Sequence, residues 1–380
     1  MEIRILAIGT KSNLKTKSFT GQSVMFDGVI KSLCESGFKV SVVDISPQIK
    51  KDGVFYRSLD YVFILMSVFF KLLSNRYSLS YIVSSQSKNG FLRDRAMISL
   101  CQWFKVPVIT HQYGANYHQL LDALDESGLT KLKGMLGYVS NIIVEGDYMK
   151  EQFSFLPNYQ AKVKAIPNGL PIEGIHAQIA KTYDGKRPFV MFYLSNLIWS
   201  KGYFDVLKAV DLLVNKEHLD VNCVFAGQFM PSHDDERPGI SNKEDFDKFV
   251  RVHSLTEHVK YYPGLYGEEK DKHFSDANVF LLPTYYINEG QPVSIVEAMA
   301  YGCVPLVTEY RHIPMMINEQ NGCFVKPRNA EDIANRVKEL IENPDLYASK
   351  SKQSIADYQE KFKFEVYAGK VMACINDVIS

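Results

Sequence analysis

Short runs of apolar, mostly β-branched residues alternate along the whole chain with longer stretches of helical periodicity. In the first half the runs predict strands at 4–8, 39–44, 81–84, 108–110, 141–144 and 163–166. In the second half they predict strands at 189–194, 221–226, 259–262, 279–282, 304–308 and 323–325. Amphipathic helices are predicted between them, as at 23–35 and 60–73. Such alternation is typical of α/β proteins, in which helices cover both faces of parallel sheets.

Chain length and composition indicate two globular domains. The 380 residues are too many for one typical core and suit two domains of about 150 to 200 residues. A hydrophobic fraction of 46% and a charged fraction of 23% are ordinary for a globular protein. The polar, irregular stretch at 171–188 is the predicted boundary. Residues 229–245 are predicted to form an exposed insertion.

The cysteines and the N-terminus favour a cytoplasmic protein. The six cysteines are scattered, with no Cys-x-x-Cys pair, which argues against a zinc ribbon or a disulfide framework and for a reducing compartment. The first nine residues lack the basic start and long apolar segment of a signal peptide. The longest apolar run, at 61–70, falls short of the roughly 18 residues that a membrane span needs.

The segment 288–305 carries the most specific chemical signal. Glu289 and Glu297 are eight positions apart, and Pro292 between them suits the first position of a helix. The following residues are almost wholly apolar until Gly302, which is placed to end the helix. Glu297 is therefore predicted to be buried, where an unpaired carboxylate would cost several kcal/mol and so needs hydrogen-bond donors.

The predicted helix start lies between the two carboxylates. Its free amides and positive dipole end favour an anion. A carboxylate, an anion site and a second carboxylate suit a nucleoside diphosphate sugar, which has hydroxyls at both ends and two phosphates between them. A glycosidase is the alternative, since its inverting forms hold two carboxylates roughly 6.5 to 9.5 Å apart. The intervening helix start favours phosphate over that alternative.

Further motifs make the sequence similar to the retaining GT-B glycosyltransferases, the large family that includes sucrose synthase and many bacterial surface-sugar transferases. They are Ile-Pro-Asn-Gly at 166–169, Ser-Lys-Gly-Tyr at 200–203, Ala-Gly at 226–227 and Asn-Gly at 321–322. The resemblance covers nearly the whole chain. It implies two Rossmann-like domains facing across a cleft: an acceptor-side domain at 1–180 and a nucleotide-sugar domain at 181–362. A C-terminal helix at 363–380 would return to the first domain.

The resemblance also assigns site residues. Lys201 would lie against the diphosphate and offset the charge that develops on the leaving group. The family commonly has a Gly-Arg pair where this chain has Ser195 and Asn196, so one expected cation is missing. The predicted catalytic residues are His111, Glu289 and Lys201. The predicted residues for binding the nucleotide sugar are Glu297, Lys201, Asn196, Ser195, Gly290, Gln291, Pro292, Val293 and Gly21.

Two of these assignments concern the first domain. The resemblance places His111, directly after the predicted strand at 108–110, near the reacting carbon of the sugar. Its role would be positioning and electrostatic support, with His118 in the following helix as an alternative. Gly21 ends the loop after the first strand, where backbone amides could approach the diphosphate or the acceptor. A plain loop is an equal alternative there.

The function that the resemblance implies is metal-independent sugar transfer with retention of the anomeric configuration. The donor would be a UDP-sugar, with a GDP-sugar next, and the acceptor a glycan in bacterial surface polysaccharide synthesis. The alternatives are a GT-B epimerase or hydrolase of nucleotide sugars, or an inactive scaffold that binds them. No cofactor and no metal are expected, since the cluster at 233–236 (His-Asp-Asp-Glu) lies in the predicted insertion without a strand context.

The expected partners are a nucleotide sugar and a glycan or lipid-linked glycan acceptor, with no nucleic acid. Residues 1–180 carry 20 Lys and Arg against 14 Asp and Glu, an excess of six positive charges. Two hypotheses follow for the apolar helix at 60–73: weak, salt-sensitive contact with an anionic membrane, or burial under the first sheet. The residues considered for contact are Lys11, Lys15, Lys17, Lys50, Lys51, Phe63, Ile64, Phe69 and Phe70.

Overall fold

The chain divides into two compact units, residues 1–171 with 364–380, and residues 172–363. The computed structural model describes residues 3–12, 21–46, 54–114, 117–170, 179–231 and 243–380, with the backbone alone for 54–57. No helix within these ranges is both long enough and apolar enough to cross a membrane.

The first unit is built on a six-stranded parallel sheet with the strand order β2-β1-β3-β4-β5-β6. The strands are β1 Arg4–Gly9, β2 Lys39–Asp44, β3 Leu79–Ser84, β4 Val108–Gln112, β5 Asn141–Val144 and β6 Val163–Ala165. The helices are α1 Gly21–Glu35, α2 Val54–Ser74, α3 Lys88–Trp103, α4 Tyr117–Asp122, α5 Glu126–Tyr138 and α6 Tyr159–Lys162, with a 3-10 helix at Asp147–Phe153.

The second unit repeats this architecture with the strand order β12-β11-β10-β7-β8-β9, again all parallel. The strands are β7 Phe189–Leu194, β8 Val221–Ala226, β9 Val259–Tyr262, β10 Val279–Leu282, β11 Val304–Val307 and β12 Cys323–Phe324. The helices are α7 Tyr203–Asp211, α8 Lys243–Val252, α9 Gly267–Asp276, α10 Val293–Ala300, α11 Ala330–Glu342 and α12 Pro344–Asp357. Short 3-10 helices lie at Trp199–Lys201 and Ile313–Met315, and π-helical turns at Leu212–Lys216 and Tyr358–Phe362.

Alternation along β1 divides the core of the first unit between the two faces of its sheet. Leu6 and Ile8 belong to one core cluster, together with residues of α2, α3 and α5. Ile5 and Ala7 belong to the other, together with residues of α1. The predicted arrangement, a parallel sheet with helices on both faces, is confirmed.

The last helix, α13 Phe364–Ile379, belongs to the first unit although it follows the second in the chain. Its buried residues Tyr367, Val371, Cys374 and Ile375 join the same core cluster as α1. The C-terminal segment thus completes one face of the N-terminal sheet.

All twelve predicted strands are present, and the differences lie at their ends. The strand at 108–110 continues through Gln112, so His111 lies inside β4 rather than after it. The strand is longer because His111 and Gln112 still pair with β3 and β5, and such pairing between strands leaves no pattern in the local sequence. The predicted helix at 60–73 is longer than expected, since α2 runs from Val54 to Ser74.

Candidate functional site

The strand order of the second unit defines where a ligand can bind. β7 lies between β8 and β10, so the chain winds in opposite directions on either side of the β7–β10 pair. In open parallel sheets, ligands bind beyond the carboxyl ends of the strands at such a switch point. Lys201 follows β7 and Glu289 follows β10, so both predicted residues lie at this edge.

The loop that carries Lys201 packs directly on the segment after β10. Gly202 has a φ of +75°, and a Cβ at this position would lie 2.4 Å from the carbonyl oxygen of Pro283. The amide of Tyr285 donates a 2.8 Å hydrogen bond to the carbonyl of Ser200. A glycine is required here because only glycine combines this backbone conformation with so close an approach. The two loops are therefore held in contact.

This contact brings Lys201 and Glu289 together. The ammonium nitrogen of Lys201 lies 3.4 Å from a carboxylate oxygen of Glu289 and 5.3 Å from the centre of the Tyr286 ring. The Thr284 hydroxyl donates a 2.8 Å hydrogen bond to the other oxygen of Glu289. The Glu289 residue is only 6% exposed. The carboxylate is thus fixed on both oxygens, and the lysine is held where it can meet an anion.

Helix α10 follows directly and is short and buried. Pro292 is its N-cap residue rather than its first helical residue, a small correction to the prediction, and no side chain of the described residues caps this end. At the other end Gly302 has a φ of +68°, and the amides of Gly302 and Cys303 bond the carbonyls of Met299 and Ala298. This is a Schellman motif, as expected from the glycine. The amide of Ile295 bonds the carbonyl of Pro292, and a helix start without a side-chain cap favours an anion.

Glu297 lies on α10 and is buried as predicted, with 8% exposed. Its partner is Lys270 of α9, whose ammonium lies 2.6 Å from a carboxylate oxygen. Burial lowers the pKa of Lys270, but the charge of Glu297 and its hydrogen bond outweigh burial, so the pKa is raised above its usual value. Lys270 therefore keeps its positive charge at neutral pH beside the Glu297 carboxylate.

The remaining predicted residues of this unit surround the same edge. Ser195 is half-buried just after β7, and its amide donates a 3.1 Å bond to the carbonyl of Ala226. Asn196 is exposed. Between Glu289 and α10, Gly290 is half-buried and Gln291 is buried, and Val293 begins the helix.

The second unit brings Lys201 and Glu289 together and carries Glu297 on the helix that follows, whereas His111 belongs to the first unit. The imidazole is fully buried, and its Nδ1 lies 2.6 Å from the hydroxyl of Tyr81. It stacks on Tyr113 with ring centres 4.2 Å apart and lies near Tyr367 of α13. Burial lowers the pKa of His111 to about 3, so the ring is neutral. Its side chain contributes to the core under the carboxyl end of β4, and His118 lies exposed on α4.

The first unit has its own hollow at the switch point between β1 and β3. It measures about 510 Å³. It is lined mainly by hydroxyl and amide side chains, with one guanidinium: Thr10, Gln22, Ser84, Ser85, Gln86, Ser87, Arg93 and Gln119. Gly21 is the first residue of α1 and is exposed beside Gln22, while the loop before it at 13–20 lies outside the described residues. The composition of this hollow suits an uncharged polyhydroxyl ligand.

The described part of the chain contains no group of three His, Cys, Asp or Glu side chains placed to hold a metal ion. The cluster at 233–236 lies outside the described residues.

Two residues of the candidate site were not found by sequence reasoning. Thr284 lies five positions before Glu289, and Lys270 lies 27 positions before Glu297 on another helix. The sequence predicted only that a buried Glu297 needs hydrogen-bond donors, and the ammonium of Lys270 is one. Nothing in the sequence spacing indicates which lysine meets that requirement.

Comparison with known proteins agrees with this architecture. The family model described as glycosyl transferases group 1 matches residues 176–361. The N,N'-diacetylbacillosaminyl-diphospho-undecaprenol alpha-1,3-N-acetylgalactosaminyltransferase of Campylobacter jejuni is 26% identical over 175 residues, 45% of this chain and 40% of that protein. The matched stretches span about two-fifths of the length of the curated relatives. The resemblance to glycosyltransferases that the sequence indicated is confirmed.

Solved structures extend the similarity to the whole chain. Anabaena HepE, solved in complex with UDP, superimposes with a TM-score of 0.69 at 14% identity, covering 99% of this chain and 100% of that one. Sucrose-phosphate synthase of Thermosynechococcus elongatus gives 0.70 at 17% identity, covering 99% of each chain. At these identities the likeness establishes the fold. The chain has the GT-B fold, as predicted.

Proposed function

We propose that this protein transfers a sugar from a nucleotide donor to a glycan acceptor with retention of the anomeric configuration. The observation that carries the proposal is the pairing of Lys201 with the buried Glu289 at the switch point of the second sheet, beside the open start of α10. A nucleoside diphosphate sugar matches these groups: its phosphates suit Lys201 and the start of α10, and its sugar hydroxyls suit the carboxylate of Glu289. UDP is the favoured nucleotide and GDP the next.

Each group has a distinct role in this proposal. The diphosphate lies at the first amides of α10, where the helix dipole and the ammonium of Lys201 stabilise the charge on the leaving phosphate. Glu289 accepts hydrogen bonds from the sugar hydroxyls, and Glu297 accepts them from the ribose. Ser195, Asn196 and Gln291 offer neutral hydrogen bonds nearby. The leaving phosphate takes the proton of the acceptor hydroxyl as the new bond forms.

The charge of the diphosphate is balanced without a metal in this proposal. Asn196 replaces a cation that the family commonly has, so Lys201 carries a larger share of the neutralisation. His111 acts as a positioning residue: its neutral, stacked ring supports the carboxyl end of β4. The first unit accepts the glycan at the polar hollow beside β1 and β3.

The acceptor class is a lipid-linked glycan of bacterial surface polysaccharide synthesis, and the protein acts in the cytoplasm. The Campylobacter relative is named for an acceptor of this kind, a sugar on diphospho-undecaprenol. The lining of the first-unit hollow, mainly hydroxyl and amide side chains, is compatible with the sugar portion of such an acceptor.

Binding of nucleotide sugars to Lys201→Ala tests the proposal. The wild type should bind UDP-sugars, and Lys201→Ala should lose about 1.5 to 3 kcal/mol of UDP affinity, since a charged hydrogen-bond partner of the phosphates is removed. Lys208→Ala, which removes an exposed lysine of α7, is the matched control and should bind as the wild type does. Equal affinity in both variants would contradict the role of Lys201.

Product analysis separates transfer from its alternatives. NMR of the anomeric proton should show the donor configuration in a product that forms only when acceptor is present. Free sugar formed equally with and without acceptor would instead identify a hydrolase. Activity should persist in excess EDTA. Recovery of an EDTA-inactivated enzyme on addition of manganese would overturn the metal-free proposal.

A further inference from the structure

Helix α2 presents apolar side chains to solvent along one side. Five of the fourteen exposed large apolar side chains among the described residues lie on this helix, each between 48% and 62% exposed. We call them the α2 face: Val62, Phe63, Met66, Phe70 and Leu73. At 1.5 Å per residue the α2 face extends over about 16 Å.

The α2 face is not the side of the helix that forms the core. Ile64, Val68 and Leu72, spaced four residues apart, are buried on the opposite side with at most 5% exposed. A helix at a protein surface ordinarily carries polar residues on its outer side. Here both sides are apolar. Packing in the core of the unit accounts for the apolar residues of the inner side and does not account for those of the α2 face.

Aromatic rings extend this surface at the C-terminal end of the helix. Phe69 packs against Trp103 and Phe104, with ring centres 6.2 and 5.9 Å apart. Trp103, the last residue of α3, is 72% exposed. An exposed tryptophan beside an apolar helix face is typical of proteins that bind at the boundary between lipid and water.

The exposed charge of α2, α3 and the segments that adjoin them is positive. Residues 58–106 contain two acidic side chains, Asp60 and Asp94, and these are only 6% and 1% exposed. The same range contains six basic residues, of which Arg76, Lys88 and Lys105 are exposed. The charges that reach solvent here are therefore cationic.

We propose that the α2 face, together with Trp103, docks on an anionic lipid bilayer. Apolar side chains enter the boundary of the acyl chains while the surrounding Arg and Lys meet the lipid phosphates. The inference rests on the proposed function for its purpose, because a lipid-linked acceptor is presented at such a surface. Of the residues first considered for this contact, Phe63 and Phe70 are exposed, Phe69 is half-buried and Ile64 is buried. Lys15, Lys17, Lys50 and Lys51 lie outside the described residues.

The charge pattern favours a bilayer over a second copy of this chain. In a symmetric dimer through this face, the same cations would face one another, and like charges across an interface are unfavourable. An anionic bilayer neutralises all of them at once and tolerates the irregular outline of exposed side chains.

Sedimentation of the full chain with vesicles tests the proposal. The wild type should bind vesicles of phosphatidylglycerol and phosphatidylcholine at about 0.05 M salt, more weakly at about 0.5 M, and pure phosphatidylcholine least. The triple variant Met66→Ser, Phe70→Ser, Leu73→Ser should lose at least about tenfold in affinity. The charge reversals Arg76→Glu and Lys105→Glu should each weaken vesicle binding at least about fivefold at low salt.

Matched substitutions elsewhere provide the controls. Val252→Ser and Tyr266→Ser remove exposed apolar side chains of the second unit, and Lys352→Glu with Lys370→Glu reverses two exposed lysines. These should leave vesicle binding unchanged. Equal vesicle binding by all variants would overturn the proposal. So would a wild type that does not bind vesicles but forms a dimer, if the triple variant is monomeric. UDP binding on the same preparations tests the proposed function separately, since no residue changed here belongs to that site.

Discussion

The two buried glutamates have different surroundings, and this difference assigns them different tasks. Glu289 is held on one oxygen by Thr284 and on the other by Lys201, which also faces the proposed phosphate position. Glu297 is held by Lys270, which lies on a separate helix. A ligand that draws Lys201 toward its phosphates therefore acts directly on Glu289. The Glu297–Lys270 pair is independent of that exchange.

We expect the substitutions Glu289→Gln and Glu297→Gln to affect different measurements. Glu297→Gln should weaken UDP binding by about 1.5 to 3 kcal/mol, because a charged acceptor for the ribose hydroxyls is lost. Glu289→Gln should reduce turnover far more than UDP affinity, because its carboxylate addresses the sugar. Titration calorimetry with UDP, together with kcat for sugar transfer, distinguishes them. Loss of UDP binding in Glu289→Gln, with normal binding in Glu297→Gln, would reverse the assignment.

Burial of His111 predicts a pH dependence of stability. The pKa is about 3 in the folded protein and about 6.5 when unfolded, so between these values the unfolded chain binds more protons and stability falls as the pH falls. At pH 5 the loss relative to pH 8 should be about 2 kcal/mol. Urea denaturation of His111→Gln at both pH values should show a smaller difference than the wild type.

The exposed His118 provides the control for this measurement. His118→Gln should retain the wild-type pH dependence, because the ring is solvent-exposed on α4. An identical acid destabilisation of the wild type and both variants would show that His111 does not titrate as its burial requires.

At the scale of elements, the strands could be predicted from the sequence, but their ends and the contacts between helices could not. Runs such as 189–194 and 279–282 are continuous and apolar because each strand is covered on both faces, and this leaves a clear signal. The ends were less clear: His111 extends β4 because neighbouring strands pair with it, a non-local cause. Lys270 was missed for the same reason, since a contact between two helices leaves no local pattern.

The contact between the Lys201 loop and the segment after β10 predicts the effect of Gly202→Ala. The new methyl group would meet the Pro283 carbonyl, so the loop must move and Lys201 must leave Glu289. UDP affinity and turnover should both decrease strongly. The measurement is UDP titration together with thermal denaturation.

Gly185→Ala separates the contact from backbone strain. Gly185 also has a positive φ, +73°, but nothing lies within 4 Å of the added methyl group. Both variants should lose about 1 to 2 kcal/mol of stability from the left-handed backbone. Gly202→Ala alone should lose UDP binding. Equal UDP affinity in the two variants would show that the contact does not position Lys201.

At the scale of the whole molecule, the N-terminal segment and the C-terminal helix belong to the same unit. The first sheet has α1 and α13 on the same face, so the N-terminal core is complete only after the last helix has been added. The side chains of Tyr367 and Tyr113 meet there at 3.2 Å between their hydroxyls, beside His111. Stability of the first unit therefore depends on residues that follow the entire second unit.

Ile375→Asp should destabilise the first unit selectively. Ile375 is fully buried on α13, so the change removes core packing and places an unpaired carboxylate against the sheet, at a cost of at least about 3 kcal/mol. Hydrogen exchange should show faster exchange in β1, β3 and α1, while protection of β7 and β10 stays close to that of the wild type. Ala373→Asp, two positions away and exposed, is the matched control and should leave both sheets protected. Faster exchange of equal size in both sheets would mean that α13 stabilises the whole chain rather than the N-terminal core.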